Sequence, residues 1–125
     1  MRITLETVIL ECRDMDELVN FYSGFLDWPV VYREDEFIRL QSPDSRTGIA
    51  VQYAEDYLPP VWPSELGKQQ MMVHLDFGVD RKDLQEAVDK AVGLGAKIAE
   101  TQYGEDEWIT LLDPAGHPFC LLIWD

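Results

Sequence analysis

Apolar positions along the chain change rhythm at intervals, and the same series of changes occurs twice. The stretch "ITLETVILEC" (3–12) has strand composition and partial alternation, carried by Ile3, Val8 and Ile9. The rhythm then lengthens. In "DMDELVNFYSGFL" (14–26), Leu18, Phe21, Tyr22 and Phe25 recur at helical spacing and form one stripe. Asp14 stands three residues before Glu17, an N-cap followed by an acid in the first turn. Short runs return in "WPVVYR", "EFIRLQ" and "TGIAVQYA", broken by "EDE" and "SPDSR", which predicts three strands.

From Met71 the order repeats. "MMVHLDFGV" (71–79) alternates at Leu75, Phe77 and Val79. Asp80 is placed to cap a helix over "RKDLQEAVDKAVGLG", with Leu84, Ala87, Val88, Ala91 and Val92 as its buried stripe and Gly95 as its stop. "AKIAETQ", "EWITLL" and "PFCLLIW" follow as strands. The duplication is also literal: "EDEFIRLQSP" from Glu34 and "EDEWITLLDP" from Glu105 agree at six of ten positions, at an offset of 71. Each copy is read as turn, middle strand and following turn of a βαβββ module.

The expected fold is therefore α+β, one domain of two βαβββ modules whose curved mixed sheets surround a shared cavity. Module one spans about 1–54 and module two about 71–125. The intervening "EDYLPPVWPSELGKQQ" (55–70), with three prolines, is a linker. Its Trp62 would either plug the core or cover a ligand. One helix covers only one face of each sheet, which leaves the other face for the cavity. Strand alternation assigns Thr7, Ile9 and Glu11 to the cavity side of the first strand, and His74, Asp76 and Gly78 to that of the fifth. Gln52 and Cys120 point inward from the fourth and eighth strands.

Composition narrows the function classes. Ten Lys and Arg stand against 24 Asp and Glu, a net charge of −14. Such a surface repels nucleic-acid backbones and anionic membranes and favours cationic partners, if it does more than keep the protein soluble. No apolar run reaches the roughly 18 residues of a membrane span. Glu6 and Glu11 interrupt the N-terminal stretch, which does not read as a signal peptide. Cys12 and Cys120 form neither a metal spacing nor a disulfide framework, so a cytoplasmic protein is expected. Phosphate loops, nucleophile elbows and HExxH are missing from the sequence.

The repeated unit, with "ECRDMDELVNFYSGFLDWPV", "HLDFGVD" and "LLDPAGHPFCLLIW", resembles the vicinal oxygen chelate superfamily of glyoxalase I, bleomycin-resistance proteins and extradiol dioxygenases. "DPAGHPF" is the most specific element. The resemblance covers essentially the whole chain and points to small glyoxalase-like proteins, commonly homodimers. Metal enzymes of that group take one ligand from each of the first, fourth, fifth and eighth strands, which the resemblance carries to Thr7, Gln52, His74 and Cys120. Three of these depart from the usual His, Gln or Glu, so no metal is expected. If a divalent ion were present, His74, Gln52 and Cys120, or His74, Cys120 and an acid, would hold it.

Residue by residue, His74 is read as a pocket-lining imidazole or a general base oriented by Asp76. Glu11 and Asp76 are read as rim carboxylates or as the grip on a cation. Cys120 is a small pocket residue without a charge to activate it, and His117 an exposed turn residue. Trp108 and Phe37 occupy equivalent places, for packing or for ligand stacking. The expectation is a small-molecule binder with a degenerate metal site, taking a cationic or aromatic compound through Thr7, Glu11, Gln52, Trp62, His74, Asp76, Trp108 and Cys120. The alternative is a lyase, isomerase or dioxygenase built on His74.

Overall fold

The structure, a computed structural model, describes residues 1–125. The chain divides into two compact units, Met1–Tyr57 and Leu58–Asp125, called modules one and two below. No helix is long and apolar enough to cross a membrane.

Module one runs β1 (Thr7–Cys12), α1 (Met15–Leu26), β2 (Val30–Glu34), β3 (Phe37–Gln41), β4 (Gly48–Tyr53). Helix α1 starts where the sequence says it should. The Asp14 carboxylate accepts the Glu17 backbone N–H at 3.0 Å, satisfying one of the amides that a helix start leaves unpaired. The stripe of Leu18, Phe21, Tyr22 and Phe25 is buried. Each such burial contributes ~1.5–3 kcal/mol against ~1 for a cap, so the stripe holds the helix down and the cap sets where it begins. The helix stops at Asp27, whose left-handed backbone (φ 57°) suits a short polar side chain.

The sheet order is β1-β4-β3-β2, with β1 parallel to β4 and the other pairs antiparallel. Ile38, Leu40, Ile49, Val51 and Cys12 form the core beneath α1. The opposite parity carries Thr7, Ile9 and Glu11 on β1, as the alternation requires. Residues 3–6 lie outside β1, which starts at Thr7.

Module two repeats the plan: β5 (Leu75–Val79), a 3-10 turn (Arg81–Asp83), α2 (Leu84–Gly93), β6 (Lys97–Ile98), β7 (Trp108–Leu112), β8 (Pro118–Ile123), in sheet order β5-β8-β7-β6. The repeated ten residues occupy the same place in both modules. Tyr53 N–H donates to Glu36 O at 3.0 Å, and in module two Ile123 N–H donates to Glu107 O at 2.9 Å.

Four expectations are corrected here. Asp80 makes no side-chain cap, because its carboxylate accepts Trp124 Nε1–H; the helix proper starts only at Leu84. Val92 is 45% exposed. At about 100° per residue it lies some 80° round from Leu84, off the line that Val88 and Ala91 keep. Strand β6 has two residues, not seven. Beyond it the Gln102 side chain takes over the pairing, accepting from Thr110 N–H and donating to Thr110 O, both at 2.8 Å. His117 is half-buried, not exposed: its backbone N–H donates to the Asp113 carboxylate, itself buried, at 3.0 Å, closing the "DPAGHP" turn.

The segment from Leu58 to Gln70 belongs to module two. It closes on itself through Val61 N–H to Gln69 O, and Trp62 Nε1–H donates to Thr101 O at 2.9 Å. The Trp62 ring meets Tyr103 edge-on at 5.8 Å. Pro59 lies against Gly116 (φ +91°), where an added Cβ would come within 2.9 Å of it.

Candidate functional site

In module two the strand register brings three expected residues together. Strands β5 and β8 run parallel with Asp76 opposite Cys120, and β8 pairs with β7 so that Cys120 faces Thr110. Paired residues share a face, so Asp76, Cys120 and Thr110 form one row on the side away from Phe77, Phe119 and Leu111. His74 lies one residue before β5, not within it. Its spacing of two from Asp76 still keeps it on the same side: His74 Nε2 is 3.3 Å from Asp76 Oδ1. The ligand atoms of His74, Asp76 and Cys120 all lie within 4.8 Å of one another.

The row is half open and half closed. The side chains of His74 and Asp76 are 38% and 49% exposed, whereas Cys120 and Thr110 are buried. Burial pushes the Cys120 thiol up; a hydrogen bond with Thr110, Sγ to Oγ1 at 3.4 Å, pulls it partly back, and the Asp76 charge adds to the rise. At neutral pH Cys120 is therefore a thiol and a poor nucleophile. One end of the open face is aromatic. The next row holds Gly78, Leu122 and Trp108, and the Trp124 ring lies where a Cβ on Gly78 would be. Trp108, half-buried, packs in the same way over Gly104.

The equivalent face of module one has different chemistry. Ile9, Ala50, Arg39 and Tyr32 are register partners there and correspond to the Asp76, Cys120, Thr110 row. The partner of Cys120 across the duplication is thus Ala50, while Gln52 corresponds to Leu122. Thr7, the counterpart of His74, accepts Arg39 Nε–H at 2.9 Å through its hydroxyl. Glu11, Gln52 and Phe37 make the neighbouring row. Glu34, Asp35, Glu36, Phe37 and Gln52 line an open recess of about 610 Å³.

The donors that could hold a metal are therefore grouped in module two. An imidazole, a carboxylate and a thiol suit a borderline divalent ion; three donors to one zinc-sized ion stand about 3–4 Å apart, so the donors, within 4.8 Å of one another, would draw together on binding it. Among the four positions carried over by resemblance, Thr7 is engaged by a guanidinium. Asp76, expected as an orienting acid, a rim carboxylate or part of the grip on a cation, completes the set.

Arg39, Thr110, Gln102 and Trp124 escaped the sequence reading. The signal for two of them lay in the mismatches of the repeat. "FIRLQ" and "WITLL" agree at Ile and Leu and differ at alternate residues, Phe37 against Trp108, Arg39 against Thr110 and Gln41 against Leu112. These differing positions face away from the helix.

Comparison with solved structures supports the same architecture. FosX, a fosfomycin resistance protein from Mesorhizobium loti, is 16% identical, with a TM-score of 0.73 over 100% of this chain and 94% of that one. A mutant FosX from Listeria monocytogenes, complexed with Mn(II) and 1S,2S-dihydroxypropylphosphonic acid, is 14% identical, with a TM-score of 0.75 over 100% and 93%. A hypothetical protein from S. aureus is 16% identical, with a TM-score of 0.70 over 99% and 95%. No curated protein matches the sequence. The family described as "Glyoxalase-like domain" matches residues 7–122. With that match covering nearly its whole length, the chain belongs to the glyoxalase-like domain family within the vicinal oxygen chelate fold.

Proposed function

We propose that this protein binds a small organic molecule at the open face of module two, and that His74, Asp76 and Cys120 are the groups that engage it, together with one divalent ion. The observation that carries this reading is the convergence of their three donor atoms within 4.8 Å. It favours the ion-assisted alternative over the metal-free binder expected from the residues alone. An ion held there would act as a Lewis acid toward an oxygen of the bound molecule. The chain's own residues do the rest. Asp76 holds the imidazole through Nε2, which leaves Nδ1 as the ring nitrogen that would be available to the ion. Thr110 holds the Cys120 sulfur, and Trp108, Leu122 and Trp124 offer an apolar wall.

The test is metal content of protein purified without chelator. About one equivalent of Zn, Mn, Fe or Ni per chain is expected, and a large loss in His74→Ala. Metal-free wild type that stays metal-free after dialysis against each ion would overturn the reading.

The acidic recess of module one supports a second reading, sequestration of an aromatic cation by Glu34, Asp35 and Glu36 over the Phe37 ring, with Gln52 as a polar contact. Stabilisation by cationic aromatic antibiotics in a thermal-shift screen, lost on Glu36→Gln, is its expected signature. Glu11, beside Gln52, would add to that grip, and Trp62 is assigned to fastening its segment rather than to the ligand. The same reading takes the protein as a cytoplasmic homodimer. Exposed Val30, Val31 and Tyr32 along the edge strand β2 support self-association, which sedimentation velocity would measure.

A further inference from the structure

We infer that Arg39 anchors an oxyanion site on the open face of module one, taking the carboxylate or phosphonate group of a small organic molecule. The inference is independent of the ion site in module two.

Arg39 sits half-buried in the middle strands of the sheet, between Ala50 and Tyr32. Three of its N–H groups are held: Nε to Thr7 Oγ1 at 2.9 Å, one terminal nitrogen to Gln41 Oε1 at 2.7 Å, the other to Glu6 O at 3.0 Å. All three acceptors are neutral. The Glu6 carboxylate bonds Arg46 Nε at 2.6 Å and feels the Arg39 charge without a hydrogen bond to it. A guanidinium has five N–H groups, so one remains on each terminal nitrogen. Those two are what a carboxylate or phosphonate accepts in a charge-assisted pair.

The surroundings are prepared for this group. Glycine at 48 is required first by the Leu40 backbone oxygen, 2.5 Å from where a Cβ would lie, and the Arg39 guanidinium packs into the same space. Gln41 is itself pinned: its amide nitrogen donates to Ser45 O at 2.8 Å and Arg46 O at 3.0 Å, which turns its oxygen toward Arg39. The side chain is therefore positioned before any ligand arrives, and little freedom is lost on binding. Ile9 and Tyr32, 48% and 51% exposed in the same row, provide apolar surface for the organic body.

The overall charge of −14 opposes an anion at range, and the Glu6 carboxylate opposes it close by. Salt screens charges beyond about 8 Å at physiological ionic strength, whereas the ligand would be in direct contact with Arg39. The short-range pair wins.

Calorimetric titration of the full chain tests this with phenylphosphonate and benzoate as anions and benzyltrimethylammonium as a cation of similar body. Saturable binding of at least one anion is expected, weakened about tenfold or more by Arg39→Met and less by Arg39→Lys. Arg33→Gln, a change to an arginine that pairs with Asp16, should leave it intact. Any binding of the ammonium should not respond to Arg39→Met. Should that variant fail to fold, the Arg39 Nε–H resonance of ¹⁵N-labelled wild type is expected to shift on adding phenylphosphonate. Failure of both anions to bind folded wild type at millimolar concentration would overturn the inference, as would anion binding undiminished in folded Arg39→Met or an unmoved Arg39 resonance in saturated protein.

Discussion

Strands β3 and β7 hold the same place in the two modules and face two ways with opposite histories. On the helix side they agree: Ile38 and Leu40 in one, Ile109 and Leu111 in the other. On the open side they part. Module one offers Arg39 among Ile9, Ala50 and Tyr32; module two offers Thr110 beside Cys120 and Asp76. One face is built around a fixed cation, the other around donors suited to receive one. The difference teaches that packing against the helix keeps the two copies alike. Where a side chain meets the open face, each copy is free to acquire its own chemistry.

The strongest way to break the comparison is at the shared side. Leu40→Ala and Leu111→Ala remove equivalent residues, both fully buried, and each should cost about 2–5 kcal/mol in denaturant unfolding. Near-equal losses would confirm that the cores are matched. A negligible loss in one alone would show that the alignment of the modules is only superficial.

A smaller effect sharpens the contrast at the helix starts. Asp14 caps α1 through its side chain, whereas Asp83, the residue before α2, makes no such bond. Asp14→Ala should destabilise by about 1 kcal/mol, and Asp83→Ala by only a few tenths, measured the same way. Equal effects would mean that charge at the helix start, not the capping bond, is what matters.

Much of the fold could be read from the chain, because local rules and burial agree in most elements. Helix α1 had both its cap and its stripe in plain view. The reading slipped where a distant residue intervened. Trp124, 44 positions away, takes the Asp80 carboxylate and removes the expected cap of α2. Gln102 replaces most of β6 with its side chain. Neither competition leaves a periodic trace.

The candidate site was legible in part. Alternation put His74 and Asp76 on one side, and that much needs no partner strand. Bringing Cys120 against Asp76 requires the parallel register of β5 with β8, which no local pattern encodes. Resemblance named Cys120 but paired it with Gln52, whereas the register makes Ala50 its counterpart. Arg39 stands in the chain as a mismatch within the repeat, opposite Thr110.

Whether module two is a one-ion donor set is decided most directly by cobalt(II) titration of the full chain, followed by absorption. One equivalent is expected to saturate a thiolate-to-cobalt charge-transfer band in the near ultraviolet. Cys120→Ser should abolish the band, His74→Ala should weaken binding severely, and Gln52→Ala should change neither. A titration without that band in folded wild type, or a band indifferent to Cys120→Ser, would contradict the account.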